Sequence, residues 1–399
     1  MLTEQPTLQM PPRSPRGRVM AWVTEAVDSG VLSHGSPLPS ERILASQLKV
    51  SRVTVKAAID DLIQAGVINP ADGGRIRRVI GGPRNRVSQT DGVWAQTIAV
   101  FTSFGDGSER WHNESGWADV MTRGVTEGSM AIGRNTLLVH RGQRADLSNQ
   151  LAGQKLFGLI VTEMIDGFDE LSRQLAPLRD AGVPVVVYGG APELAEYDRV
   201  VSDHARGSYE LTRWLISQGR RRIVTIWESH AVDRYWVRDR RAGYESAMIE
   251  AGLKPLDAIV MPPFPEIDFS RERFDHAVHT VAGYLVPVLS GSESADAFMT
   301  LSDRICFGVA AACRIFGKTP GSEVLVAGYD NYWTGSNEGT LEPSVPCATV
   351  DKCNREIGRA LVALLLDRVQ GNLASEPQTR IINPQLVVTK PGATVTCVR

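Results

Sequence analysis

Residues 38–68 read LPSERILASQLKVSRVTVKAAIDDLIQAGVI, and this stretch decides the fold of the N-terminal region. Ser40 and Ser51 are suitable helix N-caps, and each is followed by apolar residues at helical spacing. Gly66 follows the second apolar run and is suited to ending a helix. The stretch therefore predicts two helices joined by a short turn, an arrangement in which the second helix reads the major groove of DNA.

The sequence on either side of this stretch completes a small domain. Residues 16–29 predict an earlier amphipathic helix that ends at Gly30. Residues 67–69 and 75–80 flank the tripeptide Asp-Gly-Gly at 72–74, which predicts a β-hairpin with a glycine turn. We predict an α+β winged helix-turn-helix over residues 10–80.

Residues 38–68 resemble the winged helix-turn-helix of the GntR family. The resemblance implies that DNA is contacted by Arg42, Ser51, Arg52, Thr54, Lys56, Gly74 and Arg75. An arginine at the start of the second helix can donate two hydrogen bonds to guanine or phosphate. The alternative is that these charges form a solvated helix face and that Arg42 pairs with Glu41. The sequence departs from the family at Lys56, where arginine is usual, and at Val53, where a hydroxyl is common.

Residues 81–96 are polar and aperiodic and are interpreted as a linker. Beyond them, strand-like and helical segments alternate, which predicts a doubly wound α/β architecture. The predicted strands are 98–101, 136–139, 158–162, 183–188, 199–202, 222–227, 258–261, 297–300 and 324–329. Helices are predicted between most of them, for example at 205–218 and 240–251.

Residues 97–399 resemble the effector domain of the LacI/GalR family, which has a two-lobed periplasmic-binding-protein-like fold. The resembling pieces are VSDHARGS at 201–208, LISQGRRRI at 215–223, RRAGY at 240–244, SD at 302–303, FGVA at 307–310, VAGYDN at 326–331, IGRA at 357–360 and NPQLVV at 383–388. The resemblance implies an effector-binding and dimerisation domain. A GntR-type head on such a body is similar to bacterial arabinose regulators.

The predicted fold holds its ligand between the lobes, at the carboxyl ends of strands. Polyhydroxylated ligands need planar donors, carboxylate acceptors and an aromatic wall. The candidates are Trp117, Asp203, Arg234, Trp236, Arg240 and Asp303. The alternatives are that the two aspartates cap helices, that the arginines are surface residues and that the aromatic rings are core.

The composition of the chain restricts the kinds of function that the protein can have. Residues 1–90 carry 12 Lys and Arg against 7 Asp and Glu, whereas residues 91–399 carry 31 against 38, which suits a basic DNA-binding head on an acidic body. The five cysteines form no CxxC pair and are interpreted as free thiols of a reducing cytoplasm. We find no export signal, no membrane span, no metal-binding motif and no cofactor motif.

These patterns predict a cytoplasmic repressor that binds a palindromic operator as a homodimer. We expect a small molecule of the sugar class to bind between the lobes and to control operator affinity. The alternative is a GntR-headed, pyridoxal-phosphate-dependent protein like an aminotransferase. That protein would need a lysine after a strand to form a Schiff base, and no lysine of the body follows a predicted strand, so we expect no enzyme activity.

Overall fold

The computed structural model describes residues 14–28, 32, 37–64, 68, 92–102, 116–140, 144–162, 168–265, 270–291 and 293–390. The chain divides into two compact units, Met1–Asp91 and Gly92–Arg399. The division falls inside the segment predicted as a linker.

The first unit is a three-helix cluster. Its helices are α1 (Pro15–Asp28), α2 (Glu41–Leu48) and α3 (Arg52–Gln64). Ser40 caps α2, because its side chain accepts a hydrogen bond from the Ile43 N–H. The core of the unit is formed by Val19, Val23, Ala26, Leu32, Leu44, Val55, Ala58, Ile59, Leu62 and Ile68. The predicted wing hairpin lies outside the described residues, apart from Ile68.

The second unit contains two lobes, each built on a six-stranded sheet. The amino lobe has the strand order β11-β5-β4-β3-β1-β2, with all its neighbouring strands parallel. Its strands are β1 (Thr97–Thr102), β2 (Asn135–His140), β3 (Gly158–Val161), β4 (Val185–Tyr188), β5 (Asp198–Ser202) and β11 (Thr379–Ile382). Its helices are α4 (Gly116–Ala131), α5 (Arg144–Ala152), α6 (Phe168–Asp180) and α11 (Asn354–Val369).

The carboxyl lobe repeats this layout with the order β12-β10-β9-β8-β6-β7, and only its edge strand β12 runs antiparallel. Its strands are β6 (Ile223–Glu228), β7 (Ile259–Met261), β8 (Ala297–Thr300), β9 (Leu325–Tyr329), β10 (Ala348–Asp351) and β12 (Gln385–Val388). Its helices are α7 (His204–Ser217), α8 (Tyr235–Glu250), α9 (Arg271–Leu289) and α10 (Asp303–Ile315).

The chain passes between the lobes three times. The first crossover runs from β5 through Asp203 into α7, the second from β10 through Lys352 and Cys353 into α11, and the third from β11 into β12. Each crossover leaves the end of a strand, so the residues at these ends are positioned by both lobes. This is the region where the sequence predicts a ligand site.

The predicted fold class is confirmed, although some elements differ from the prediction. The strands β10, β11 and β12 were not predicted. Two of them, β11 and β12, lie at sheet edges and contain no fully buried residue, so they lack the apolar pattern of an inner strand. The helix predicted from Arg240 begins five residues earlier at Tyr235, with Arg234 in the N-cap position. No helix among the described residues is both long enough and apolar enough to cross a membrane.

Candidate functional site

The first turn of α3 is fixed by a serine cap. The Ser51 Oγ accepts a hydrogen bond from the Thr54 N–H at 3.1 Å and lies 2.7 Å from the Thr54 hydroxyl. Val55 and Ile59 point into the core. The cap and the core contacts together determine which face of α3 is left to solvent.

That outer face is basic. Arg52 and Lys56 are both exposed on α3, and Arg42 is exposed on α2. None of the three forms an ion pair within the described part of the chain, whereas Arg16 of α1 pairs with Asp61 of α3. The arginine and lysine side chains are therefore available to phosphates and base edges. Gly74 and Arg75, the predicted contacts from the wing, lie outside the described residues.

In the second unit, Arg240 is a buried cation between two aromatic rings. It is 3% exposed, and its guanidinium carbon lies 4.8 Å from the ring centroid of Trp236 and 3.4 Å from that of Tyr329. Its Nη1 donates to the Leu301 carbonyl, just beyond β8, at 2.8 Å. Arg240 has no carboxylate partner among the described residues. The surface interpretation of this arginine is therefore wrong.

Asp303 is fully buried as the first residue of α10. One carboxylate oxygen accepts the N–H groups of Tyr332 at 2.9 Å and Trp333 at 3.3 Å, and the other accepts the Thr349 hydroxyl at 2.6 Å. Burial raises the pKa of Asp303 to about 8. These three hydrogen bonds connect α10 to the loop after β9 and to Thr349 of β10. The Asp303 side chain therefore already has three partners within the protein.

The remaining predicted residues lie at the starts of helices. Asp203 caps α7 by accepting the Arg206 N–H at 2.9 Å, which is the capping role that the sequence left open. Arg234 occupies the N-cap position of α8. Trp117 is half-buried near the start of α4, with its ring centroid 6.2 Å from that of Tyr188.

Sequence reasoning missed a buried histidine at the first crossover. His204 is the first residue of α7, and its ring centroid lies 6.1 Å from Tyr235, 6.4 Å from Trp236 and 6.3 Å from Tyr329. The Ser-Asp-His motif at 202–204 contains both side chains, but the prediction from sequence named Asp203 and not His204 as a site residue. Two of these three rings are the ones that contact Arg240.

It also missed a buried lysine at the second crossover. The Lys352 Nζ lies 2.8 Å from the Asp330 carboxylate in the carboxyl lobe and 4.7 Å from the ring centroid of Trp117 in the amino lobe. Lys352 directly follows β10, so the expectation that no lysine of the body follows a strand is wrong. The error came from β10 itself, which was not predicted.

The backbone around Lys352 is in an unusual conformation. Asp330, Asn331 and Cys353 have φ values of 90°, 55° and 59°, in the left-handed region that disfavours residues with a Cβ. Asp351 supports both segments, because it accepts the Asn331 side-chain amide at 2.9 Å and the Cys353 N–H at 2.7 Å. The strain is thus concentrated where the two lobes meet.

The buried imidazole predicts a pH dependence of stability. Burial, and then the positive charges of Arg240 and Lys352, lower the pKa of His204 well below its ordinary 6.5, while Tyr235 and Tyr329 contribute only neutral rings. The unfolded chain then binds the proton more readily, so this contribution is complete above pH 6.5 and is lost as the pH falls. The pKa of Asp303 is raised, so its contribution has the opposite slope between about pH 4 and 8.

Comparison with a His204→Gln variant isolates the histidine. Between pH 7.5 and 5.5, we expect wild-type protein to lose about 1.4 kcal/mol of unfolding free energy relative to the variant. The measurement is urea unfolding followed by tryptophan fluorescence, which reports on the second unit because seven of the eight tryptophans lie there. Parallel pH profiles for the two proteins would contradict the prediction.

Two family models match the chain. Residues 15–77 match bacterial regulatory proteins of the gntR family, and residues 212–390 match the periplasmic binding protein-like domain. The matched ranges correspond to the three-helix unit and to most of the carboxyl lobe, with α11 and β11.

Curated relatives include the HTH-type transcriptional repressor PurR of Vibrio campbellii, which is 25% identical over 256 residues covering 64% of this chain and 69% of PurR. The PurR of Vibrio atlanticus is 24% identical over 236 residues, covering 59% of this chain and 64% of that protein. The chain thus spans about two thirds of the length of these repressors.

Similar solved structures share the fold. A complex of the transcriptional regulator CelR with cellobiose has a TM-score of 0.57 and 22% identity, and it covers 89% of this chain and 100% of that one. A LacI-family regulator of Enterococcus faecium with bound ribose has a TM-score of 0.52 and 20% identity, with coverages of 75% and 98%. Residues 15–77 therefore match the gntR-family model and residues 212–390 match the periplasmic binding protein-like model, and the two-lobed fold of the second unit is shared with solved structures of LacI-family regulators.

Proposed function

We propose that this protein is a one-component repressor of transcription in the cytoplasm. The outer face of α3 binds operator DNA, and a carbohydrate bound between the two lobes of the second unit changes operator affinity. Two-fold operators require two heads at fixed spacing, so the working form is a homodimer.

The observation that carries the proposal is the position of Arg240. A buried guanidinium without a carboxylate partner among the described residues lies between two aromatic rings, where the strands of the carboxyl lobe end. Open α/β sheets bind ligands at this edge. The related regulators bind cellobiose and ribose, which supports a sugar as effector. Arabinose is a reasonable first sugar to test, given the resemblance noted in the sequence.

The experiment has a DNA arm and an effector arm. Full-length protein is used to select duplexes from a random library, and the melting temperature is then measured against a panel of pentoses, hexoses and disaccharides. A sugar at a hundred times its Kd should stabilise the protein by about 2.7 kcal/mol. If the protein enriches no duplex, the proposal that it is a transcription regulator is wrong. If no sugar raises the melting temperature, only the proposal of a carbohydrate effector is wrong.

A pyridoxal-phosphate-dependent reaction gains no support from the fold. The second unit has two periplasmic-binding-protein-like lobes, and the relatives described above are transcription regulators. Lys352 has the required position after a strand, but its Nζ is paired with Asp330. Purified protein should therefore lack the absorbance band of an internal aldimine.

The exposed side chain of Val53 on α3 predicts one feature of the operator sequence. At 79% exposed, it is the most exposed large apolar side chain among the described residues, and it stands between Arg52 and Thr54 on the outer turn of α3. A methyl-bearing side chain at this position suits the 5-methyl group of thymine. Replacing one thymine per half-site with deoxyuridine removes two methyl groups from the site of a dimer. Wild-type binding should weaken about fifteenfold, from about 0.8 kcal/mol per buried methyl group.

The matched variants are Val53→Ala and Ile43→Ala, the latter removing another exposed aliphatic side chain from α2. Fluorescence anisotropy with the selected duplex and its uracil versions measures the effect. Val53→Ala should lose the preference for thymine, and Ile43→Ala should keep it. If wild-type protein binds every uracil duplex as tightly as the parent, Val53 does not read a thymine.

A further inference from the structure

Several buried polar atoms of the second unit have no hydrogen-bond partner among the described residues, and four of them belong to three neighbouring side chains. They are Nδ1 and Nε2 of His204, the hydroxyl of Tyr188 and Nε of Arg240. Their side chains are 1%, 1% and 3% exposed. The large majority of buried side-chain polar atoms in folded proteins are hydrogen-bonded, so this concentration requires an explanation.

The three side chains converge from different parts of the unit. Tyr188 ends β4 of the amino lobe, His204 lies at the first crossover, and Arg240 lies on α8 of the carboxyl lobe. His204 and Arg240 both contact the rings of Trp236 and Tyr329. The ring of Trp117 lies 6.2 Å from that of Tyr188 and 4.7 Å from the Lys352 Nζ, so Tyr188 lies near the second crossover. Burial raises the pKa of Tyr188 well above its ordinary value.

Retaining unpartnered groups in this place is costly for the folded protein. Each unsatisfied buried donor or acceptor costs about 1–3 kcal/mol. Elsewhere in the unit, a comparable buried tyrosine is fully satisfied, since the Tyr244 hydroxyl donates to the Ile223 carbonyl at 2.8 Å and accepts the Leu256 N–H at 2.9 Å. The fold can thus satisfy a buried phenol, and a partner from outside the protein would do the same for Tyr188.

We propose, on the basis of the proposed function, that the effector is a hydroxyl-rich molecule whose hydroxyl groups bond to these four atoms, and that His204 selects for it. Tyr188 and the Nε of Arg240 each need an acceptor. A neutral imidazole has one donor and one acceptor nitrogen, so His204 needs both kinds of partner.

Hydroxyl groups meet these needs because each one both donates and accepts. A carboxylate accepts only, and would leave the acceptor nitrogen of His204 without a donor. An apolar ligand would leave all four atoms unpaired. The nearby cations Arg240 and Lys352, together with burial, keep the pKa of His204 low, which preserves the neutral imidazole that this recognition requires.

The test uses full-length protein with Tyr188→Phe, His204→Phe and His204→Gln variants, and Tyr244→Phe as the matched control. The probes are D-ribose, D-arabinose, D-glucose and cellobiose, with D-gluconate and D-glucuronate as acidic counterparts. Urea unfolding without ligand gives the stability of each variant, and calorimetric titration gives the affinity for each probe.

Without ligand, Tyr188→Phe and His204→Phe should unfold at the same or a higher urea concentration than wild type, whereas Tyr244→Phe should unfold at a lower one. At least one neutral sugar should bind wild type, Tyr188→Phe and His204→Phe should weaken it at least tenfold, and His204→Gln should retain part of the affinity. Tyr244→Phe should bind the sugar as wild type does.

Three results would overturn the proposal. The first is a loss of ligand-free stability in Tyr188→Phe and His204→Phe with sugar affinity unchanged, which would make both residues structural. The second is binding of the acids in preference to every neutral sugar. The third is no binding by any of the neutral sugars. In all three cases the regulator proposal stands as long as the protein enriches a specific duplex.

Discussion

Replacing Arg52 with alanine is expected to remove specific operator binding and to leave the fold of the head intact. The side chain is exposed at the first position of α3 and has no ion-pair partner within the described residues, so its loss removes no packing. A bidentate contact to guanine is worth about 1–3 kcal/mol, and a dimer loses it twice. We therefore expect specific affinity to fall by at least about thirtyfold.

The measurement is fluorescence anisotropy with the selected duplex and a scrambled duplex of the same length. Arg18→Ala is the matched control, because it removes the same charge from an exposed position on α1. It should weaken both duplexes slightly and equally, as loss of a general electrostatic contribution does. An Arg52→Ala protein that still prefers the selected duplex over the scrambled one as strongly as wild type would refute the role of Arg52.

The head could be predicted closely from sequence because its determinants are local. A serine cap and the apolar spacing that follows it fix where a helix begins and which face is buried. Ser51 is seen as the cap of α3, and Val55 and Ile59 are in the core. Local signals of this kind do not depend on the topology of the rest of the chain.

The candidate effector site could be predicted only in part, because it depends on contacts between distant segments. Tyr188, His204 and Arg240 belong to three different elements, and only the order of strands brings them together. The resemblance indicated Arg240 and Asp303, but it did not show that Asp303 already has three partners within the protein. Lys352 was missed because β10, the strand that it follows, was not predicted.

The largest stability effect is expected at a helix crossing in the amino lobe. The helices α4 and α11 pack closely there, and a Cβ on Gly358 would overlap the Met121 carbonyl oxygen and lie 2.7 Å from the Val125 nitrogen. A Cβ on Gly124 would likewise overlap the Arg355 carbonyl oxygen. Backbone atoms of a helix cannot rotate away as a side chain can. Gly358→Ala should therefore force the helices apart and destabilise the second unit by about 3 kcal/mol or more.

The same substitution at Gly283 should have the opposite sign. Gly283 lies on the exposed side of α9, where a Cβ would have no neighbour within 4 Å. Alanine is favoured over glycine by about 1 kcal/mol in a helix interior, so Gly283→Ala should raise the urea midpoint. Tryptophan fluorescence measures both variants, and equal shifts in one direction would show that helix propensity, rather than the α4–α11 contact, governs these glycines. Since α11 follows the Lys352 crossover directly, loosening its packing should also weaken binding of any sugar held between the lobes.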